Sequence, residues 1–188
     1  MILSKRDARI KYKAARKTYK NCEKQIQSSV LTFINQGFAQ NRILGFYWPL
    51  DDEVDLRPLR SQISNKVALP VADGHGRMIY RLWSNQPLSA DGCNIPAPAT
   101  GPALQPSQLS LLLVPALAID HSGIRLGYGG GYYDQLRSDP DWKSVPAWVV
   151  LPSACISTAP LPRNSWDVPF QGWICENGAG TATPSTAS

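Results

Sequence analysis

The chain has 188 residues, 43% of them hydrophobic, and carries 19 Lys or Arg against 14 Asp or Glu, a formal net charge of +5. That is enough apolar material for one folded domain with its own core, but no apolar run reaches membrane-spanning length, and the longest, over residues 109–119, is broken by Ser110 and Pro115. The basic Lys5-Arg6 pair is not followed by the apolar core of a secretory signal, so a cytoplasmic location is expected.

The charge is unevenly placed. Residues 1–24 hold nine Lys or Arg against Asp7 and Glu23, a local balance of +7, and the remainder sums to −2. In the same region Ala8, Tyr12, Ala15, Tyr19, Cys22, Ile26 and Val30 recur at steps of three and four, which predicts an amphipathic helix with a core-facing stripe. Lys5, Arg9, Lys13, Arg16/Lys17, Lys20 and Lys24 follow the same period on another face. Asn21 is a point of interruption, and Gly37 ends the helical region.

Residues 42–47 read as a first strand, and 55–64 as a helix with Pro58 in its first turn. Residues 66–71 and 78–83 read as two further strands, and 85–107, rich in Pro, Ala, Ser and Gly, as a long excursion. A buried central strand is expected over 111–114, another strand over 148–151, and a short last one over 173–175. Strands alternating with helical stretches predict an α/β fold, three layers α/β/α around a mostly parallel central sheet. The folded domain is expected to span residues 1–176, with a disordered tail over 177–188. Ligands of such sheets bind beyond the carboxyl ends of the strands.

The four cysteines, Cys22, Cys93, Cys155 and Cys175, lack the short spacing of a zinc site and read as reduced thiols. The two histidines, His75 and His121, leave little material for a His-dependent metal centre or a Ser-His-Asp triad, and His121 reads as a solvated loop residue.

The most informative segment is 123–134, Gly-Ile-Arg-Leu-Gly-Tyr-Gly-Gly-Gly-Tyr-Tyr-Asp. Gly127, Gly129, Gly130 and Gly131 sit within five positions, opened by Arg125 and closed by Tyr132, Tyr133 and Asp134. Main-chain N–H groups in such a run approach an anion closely, and a strand, glycine loop and helix in succession form a phosphate site. The plainer reading is a tight turn. Arg125 and Asp134 favour the phosphate site, because phosphate needs cations and magnesium needs carboxylate oxygen. No Gly-Lys-Ser/Thr ends the loop, which excludes a Walker loop, and a nicotinamide-binding loop would come early in the chain with wider glycine spacing.

Residues 114–120, Val-Pro-Ala-Leu-Ala-Ile-Asp, followed by 123–134, closely resemble the signature of the 5-formyltetrahydrofolate cyclo-ligases, also called methenyltetrahydrofolate synthetases. Lys5-Arg6-Asp7-Ala8-Arg9 is similar to the family's N-terminal Lys-x-x-x-Arg, and Phe46-Tyr47 with Glu53-Val54-Asp55 to its strand and acidic turn. Leu69-Pro70-Val71 and Asn94-Ile95-Pro96-Ala97-Pro98 resemble two further landmarks, and Leu161-Pro162 through Asp167 a late segment that supplies a second Asp. The landmarks span residues 5–176 in order.

The resemblance implies an enzyme that uses ATP and Mg²⁺ to close 5-formyltetrahydrofolate to 5,10-methenyltetrahydrofolate, releasing ADP and phosphate. The γ-phosphoryl would go to the formyl oxygen, N10 would attack the activated carbon, and phosphate would leave. Carried onto this chain, the expected ATP-binding residues are Lys5, Arg9, Arg125, Gly127, Tyr128, Gly129, Gly130, Gly131, Tyr132 and Tyr133. Tyr47 and Glu53 would face the folate with Tyr132 and Tyr133, and Asp134 and Asp167 would hold Mg²⁺. Plainer roles are a solvated basic face for Lys5 and Arg9, a turn carboxylate for Glu53 and core packing for one of the two tyrosines. The expected partners are these small molecules, with no nucleic acid and no membrane, for a monomer.

Three positions depart from the family's pattern. Ala97 stands where bacterial members often have Glu, Trp166 where His often precedes the late Asp, and Gln171 where a second acid often follows. Two other readings compete. A non-catalytic nucleotide-binding paralogue would bind MgATP without folate turnover. A nucleic-acid-binding protein would use the basic helix, but the remainder of the chain is slightly acidic.

Overall fold

The structure, a computed structural model, describes residues 4–17, 19–37 and 42–183. Helix α1 (Lys5–Arg16) starts at Ser4, whose hydroxyl accepts the Asp7 N–H at 3.1 Å. A 3₁₀ turn, Tyr19–Asn21, separates it from α2 (Glu23–Gly37). The helical region is thus broken near Asn21, and the break divides the apolar stripe. Ala8 and Tyr12 pack on one face of the central sheet, Ile26 and Val30 on the other. The Tyr19 side chain lies outside the described residues, as do Met1–Leu3 at the start of the segment read for a secretory signal.

Strand β1 (Ile43–Gly45) is followed by a 3₁₀ turn, Arg57–Ser61, in place of the longer helix expected over 55–64. Ser61 Oγ and Gln62 Nε2 both donate to the Pro58 carbonyl, occupying the acceptor that a continuing helix would use. Next come β2 (Lys66–Ala72) and β3 (Met78–Leu82). The excursion folds back as a small hairpin, β4 (Leu88–Ala90) against β5 (Pro96–Pro98). The chain continues through β6 (Leu109–Pro115), β7 (Ala118–Asp120), β8 (Arg125–Leu126), α3 (Tyr132–Leu136) and α4 (Pro140–Ser144). It ends with β9 (Ala147–Val150), β10 (Ile156–Ser157), β11 (Gly172–Cys175) and β12 (Gly178–Thr181).

Seven strands form the central sheet in the order β12-β11-β9-β6-β1-β2-β3. The five inner strands are parallel, and β12 and β3 add antiparallel edges. Because strand side chains alternate, β6 divides its apolar residues between two cores. Leu111 and Leu113 pack with Leu44, Leu69 and α2, while Leu112 and Val114 pack with Tyr80, Val149 and α1. Gly45 must be small on this second side, since a Cβ there would lie 2.6 Å from Leu112 Cδ2 and 3.0 Å from Tyr80. The α/β class and the mostly parallel sheet are as expected. One outer layer is helical. The other combines α1 and α3 with a three-stranded sheet, β10-β7-β8.

The tail departs from expectation. Gly178–Thr181 is a strand, paired antiparallel with β11. Its small residues bury little themselves, but they let backbone and indole come close. A Cβ on Gly180 would lie 2.5 Å from the Trp173 ring, and one on Gly172 would lie 2.1 Å from the Gly180 carbonyl oxygen. Residues 184–188 of the expected tail lie outside the described residues. Among the described residues no helix is long and apolar enough to cross a membrane.

Candidate active site

A cavity of about 450 Å³ opens at the carboxyl ends of β1, β2 and β6, lined there by Tyr47, Ala72 and Pro115. Every site residue expected from the sequence lines it. Lys5 and Arg9 come from α1, and Tyr47 and Glu53 from the segment after β1. Arg125 comes from β8, Gly127–Gly131 with Tyr128 from the glycine loop, Tyr132, Tyr133 and Asp134 from α3, and Asp167 from the late segment.

The glycine loop does not follow β6 directly. Strands β7 and β8 intervene as an antiparallel pair. Asp120, buried at the end of β7, holds this detour together. Its Oδ1 accepts Ser122 Oγ at 2.7 Å and the Ser122 and Ile124 N–H groups at 2.9 and 3.1 Å. Its Oδ2 accepts the Leu161 N–H at 2.8 Å, which ties in the segment leading to Asp167. Gly129 and Gly131 adopt φ of +113° and +70°, values that favour glycine. Gly127 is small for another reason: a Cβ would lie 3.0 Å from the Arg125 guanidinium. Helix α3 has only five residues and contributes little helix dipole at the loop.

Cations and carboxylates of the site are paired across segments. Lys5 Nζ lies 2.8 Å from Asp167 Oδ2, which also accepts the Asn164 N–H at 2.7 Å. Arg9 Nε donates to the Gly127 carbonyl at 3.0 Å, and its guanidinium sits beside Gly129. Arg125 donates to the Pro115 carbonyl at 3.1 Å and stands 3.5 Å from Asp134 Oδ1. Its guanidinium lies over Tyr133 and Phe170, and Arg137 covers Phe170 as well, 4.7 Å from the ring centroid. Burial, reinforced by the Arg125 charge, lowers Arg137 to about 10.

Glu53 is 3% exposed, and its Oε2 accepts the Leu50 N–H at 2.9 Å. Burial pushes its carboxyl from an ordinary 4.5 up to about 7, helped by Asp52 and opposed by the Leu50 N–H and the charges of Arg16 and Arg125. The Tyr47 hydroxyl donates to the Val54 carbonyl at 2.8 Å, and burial raises it well above the usual phenol range, so it stays protonated. Tyr133 is buried and packs in the core, while Tyr132 is half-buried, its hydroxyl 2.9 Å from Cys93 Sγ.

Sequence reasoning missed several lining residues, among them Trp48, Leu50, Asp91, Cys93 and Asn164. None belongs to a pattern of its own. Trp166 lines the cavity with 67% of its surface exposed, next to Asp167. Ala97 is buried in β5, away from the lining. Gln171 is explained by the sheet. Its side-chain oxygen accepts the Ala147 N–H at 2.7 Å and its backbone N–H donates to the Ala147 carbonyl at 3.1 Å. A carboxylate could make the first bond too, so the departure leaves the cavity unchanged.

A mostly parallel α/β sheet with a cavity at its carboxyl edge, lined by a glycine loop and by paired cations and acids, is the architecture of an α/β enzyme. A profile of the 5-formyltetrahydrofolate cyclo-ligase family matches residues 2–175, and the chain belongs to that family. It is 30% identical over 157 residues to the 5-formyltetrahydrofolate cyclo-ligase of Haemophilus influenzae, covering 79% of this chain and 82% of that one. The Escherichia coli K12 enzyme of the same name is 32% identical over 129 residues, 64% of this chain and 70% of that one. The NMR structure of Aquifex aeolicus 5,10-methenyltetrahydrofolate synthetase superposes with a TM-score of 0.78 at 24% identity, covering 99% of this chain and 96% of that one. A Mycoplasma pneumoniae 5,10-methenyltetrahydrofolate synthetase gives 0.69 at 17%, covering 93% and 99%. These two structures share its fold.

Proposed function

We propose that the protein converts 5-formyltetrahydrofolate and ATP into 5,10-methenyltetrahydrofolate, ADP and phosphate. What supports this reading most is the convergence of residues from four separate stretches of chain, 5–9, 47–53, 125–134 and 167, on one cavity. The loop backbone, Lys5, Arg9 and Arg125 orient the triphosphate and neutralise charge as the formyl oxygen attacks the γ-phosphorus and ADP leaves. N10 then attacks the formyl carbon, and phosphate departs with the former formyl oxygen. Glu53, poised near 7, is suited to accept the proton that N10 sheds.

The donor set fits a hard cation. Among the described residues no cluster of three His, Cys, Asp or Glu side chains could enclose a metal. Mg²⁺ commonly takes only one or two carboxylates and completes its shell with phosphate and water, and Asp134 and Asp167 supply two. Magnesium, when bound, would screen the phosphate oxygens. Each of these acids is paired with a cation, Asp167 with Lys5 and Asp134 with Arg125. Both halves of each pair therefore have a destination when MgATP enters.

The test is direct. Purified protein with ATP, a divalent cation and 5-formyltetrahydrofolate is expected to generate the methenyl chromophore, and omitting any one should abolish it. No product under any combination of nucleotide, metal and folate sinks the assignment, while thermal stabilisation by MgATP without turnover would favour a non-catalytic nucleotide binder.

A further inference from the structure

Arg16 closes helix α1 and is fully buried, at 0% exposure. It lies one turn beyond Tyr12 and two beyond Ala8, on the row that faces the core. Among the described residues no carboxylate is within ion-pair distance of it, and its Nε and Nη2 have no hydrogen-bond partner. A guanidinium held this way is costly to bury. Its Nη1 donates to the Tyr128 hydroxyl, and Tyr128 in turn donates to Asp52 Oδ1 at 2.8 Å. Lys13 flanks the same ring, 5.7 Å from its centroid. Tyr128 lines the cavity in the glycine loop, and Asp52 is the neighbour of Glu53. Arg16 itself does not reach the cavity.

We propose that Arg16 is a positioning residue of the active site. Through the Tyr128 hydroxyl and Asp52 it fixes the glycine loop against the turn that carries Glu53, so that the nucleotide face and the folate face are held in register. The assignment of those two faces rests on the cyclo-ligase reading, but the coupling does not depend on turnover. Arg16 also acts on Glu53 through its charge. The groups that bear on that carboxyl are Arg16 from α1, Asp52 from its own turn, Arg125 from β8, and the hydroxyls of Tyr47, Tyr128 and Tyr133.

The experiment measures binding by calorimetry, with a non-hydrolysable ATP analogue plus Mg²⁺ and, separately, with 5-formyltetrahydrofolate. It compares full-length wild type, Arg16→Met, Tyr128→Phe and the double variant. Wild-type turnover, assayed first, judges the cyclo-ligase reading alone. Each single variant should weaken both ligands by about tenfold, the scale of one hydrogen bond to a charged group. The double variant should lose no more than either single, because Arg16 acts through Tyr128. Affinities within about twofold of wild type in Arg16→Met, or losses that add in the double variant, overturn the proposal. The pH midpoint of folate binding should also move upward in Arg16→Met, a change that loss of packing alone would not produce. Should Arg16→Met fail to fold, Tyr128→Phe and Asp52→Asn break the same chain from its other side. Non-additive loss supports the proposal, and unaltered folate affinity in Tyr128→Phe overturns it.

Discussion

Glu53 is subject to opposing demands, burial that favours the acid and a proposed task that requires the base. With its carboxyl at about 7, the folded protein holds a proton there that the unfolded chain, near 4.5, has already released. The sign follows. This carboxyl contributes stability below 4.5 that is lost as pH rises toward 7, on the order of 3 kcal/mol in all. Glu53→Gln should therefore flatten the pH dependence of urea stability across that window, and an unchanged slope would show that Glu53 ionises normally. Activity should run the other way in wild type, rising through about 7 as the base forms. Asp134→Asn should cost about 2–4 kcal/mol in kcat/KM, as for other electrostatic groups acting in the transition state, and near-normal kcat/KM would make Asp134 structural. That Asp134 lines the cavity was legible from the glycine-rich segment it closes, and that Lys5 and Arg9 do so from the family resemblance of residues 5–9. Arg16 was not: its period groups it with the other basic residues, although its spacing from Ala8 and Tyr12 places it in the buried row. Composition gives no hint that a cation will be enclosed.

Helix α1 separates the two accounts of the basic segment. Lys5 and Arg9 line the cavity, whereas Lys20 lies in the 3₁₀ turn and Lys24 on α2. Replacing Lys5 and Arg9 together by Gln should raise the KM for ATP about tenfold or more, while the Lys20 and Lys24 double variant should show only small, salt-sensitive effects. Equal KM values for the two would return Lys5 and Arg9 to a generic basic face. The strands were readable because buried apolar runs such as Leu111–Val114 have no alternative use. The connections were less so. The detour through β7 and β8 depends on Asp120 gathering four donors, and no local propensity encodes that. The helix expected over 55–64 stops after one turn because side chains compete for a single carbonyl.

Across the molecule, the same sheet that positions the cavity is completed by a strand whose composition looked unfolded. Gly178–Thr181 was illegible because its order comes from β11 and the Trp173 indole, not from its own side chains. Gly180→Ala should destabilise the fold by about 1–3 kcal/mol through overpacking against that ring, measured by urea denaturation, with kcat/KM intact where the protein remains folded. An unchanged denaturation midpoint would mean that the edge strand yields freely. The Lys5–Asp167 pair has a consequence of another kind. Its partners stand 162 positions apart, near opposite ends of the described chain. During synthesis Lys5 and Arg9 emerge early, but Asp167, the carboxylate that pairs with Lys5, emerges after most of the sheet. If Asp167 helps to hold MgATP as proposed, a nascent chain that lacks it has no finished grip on the nucleotide.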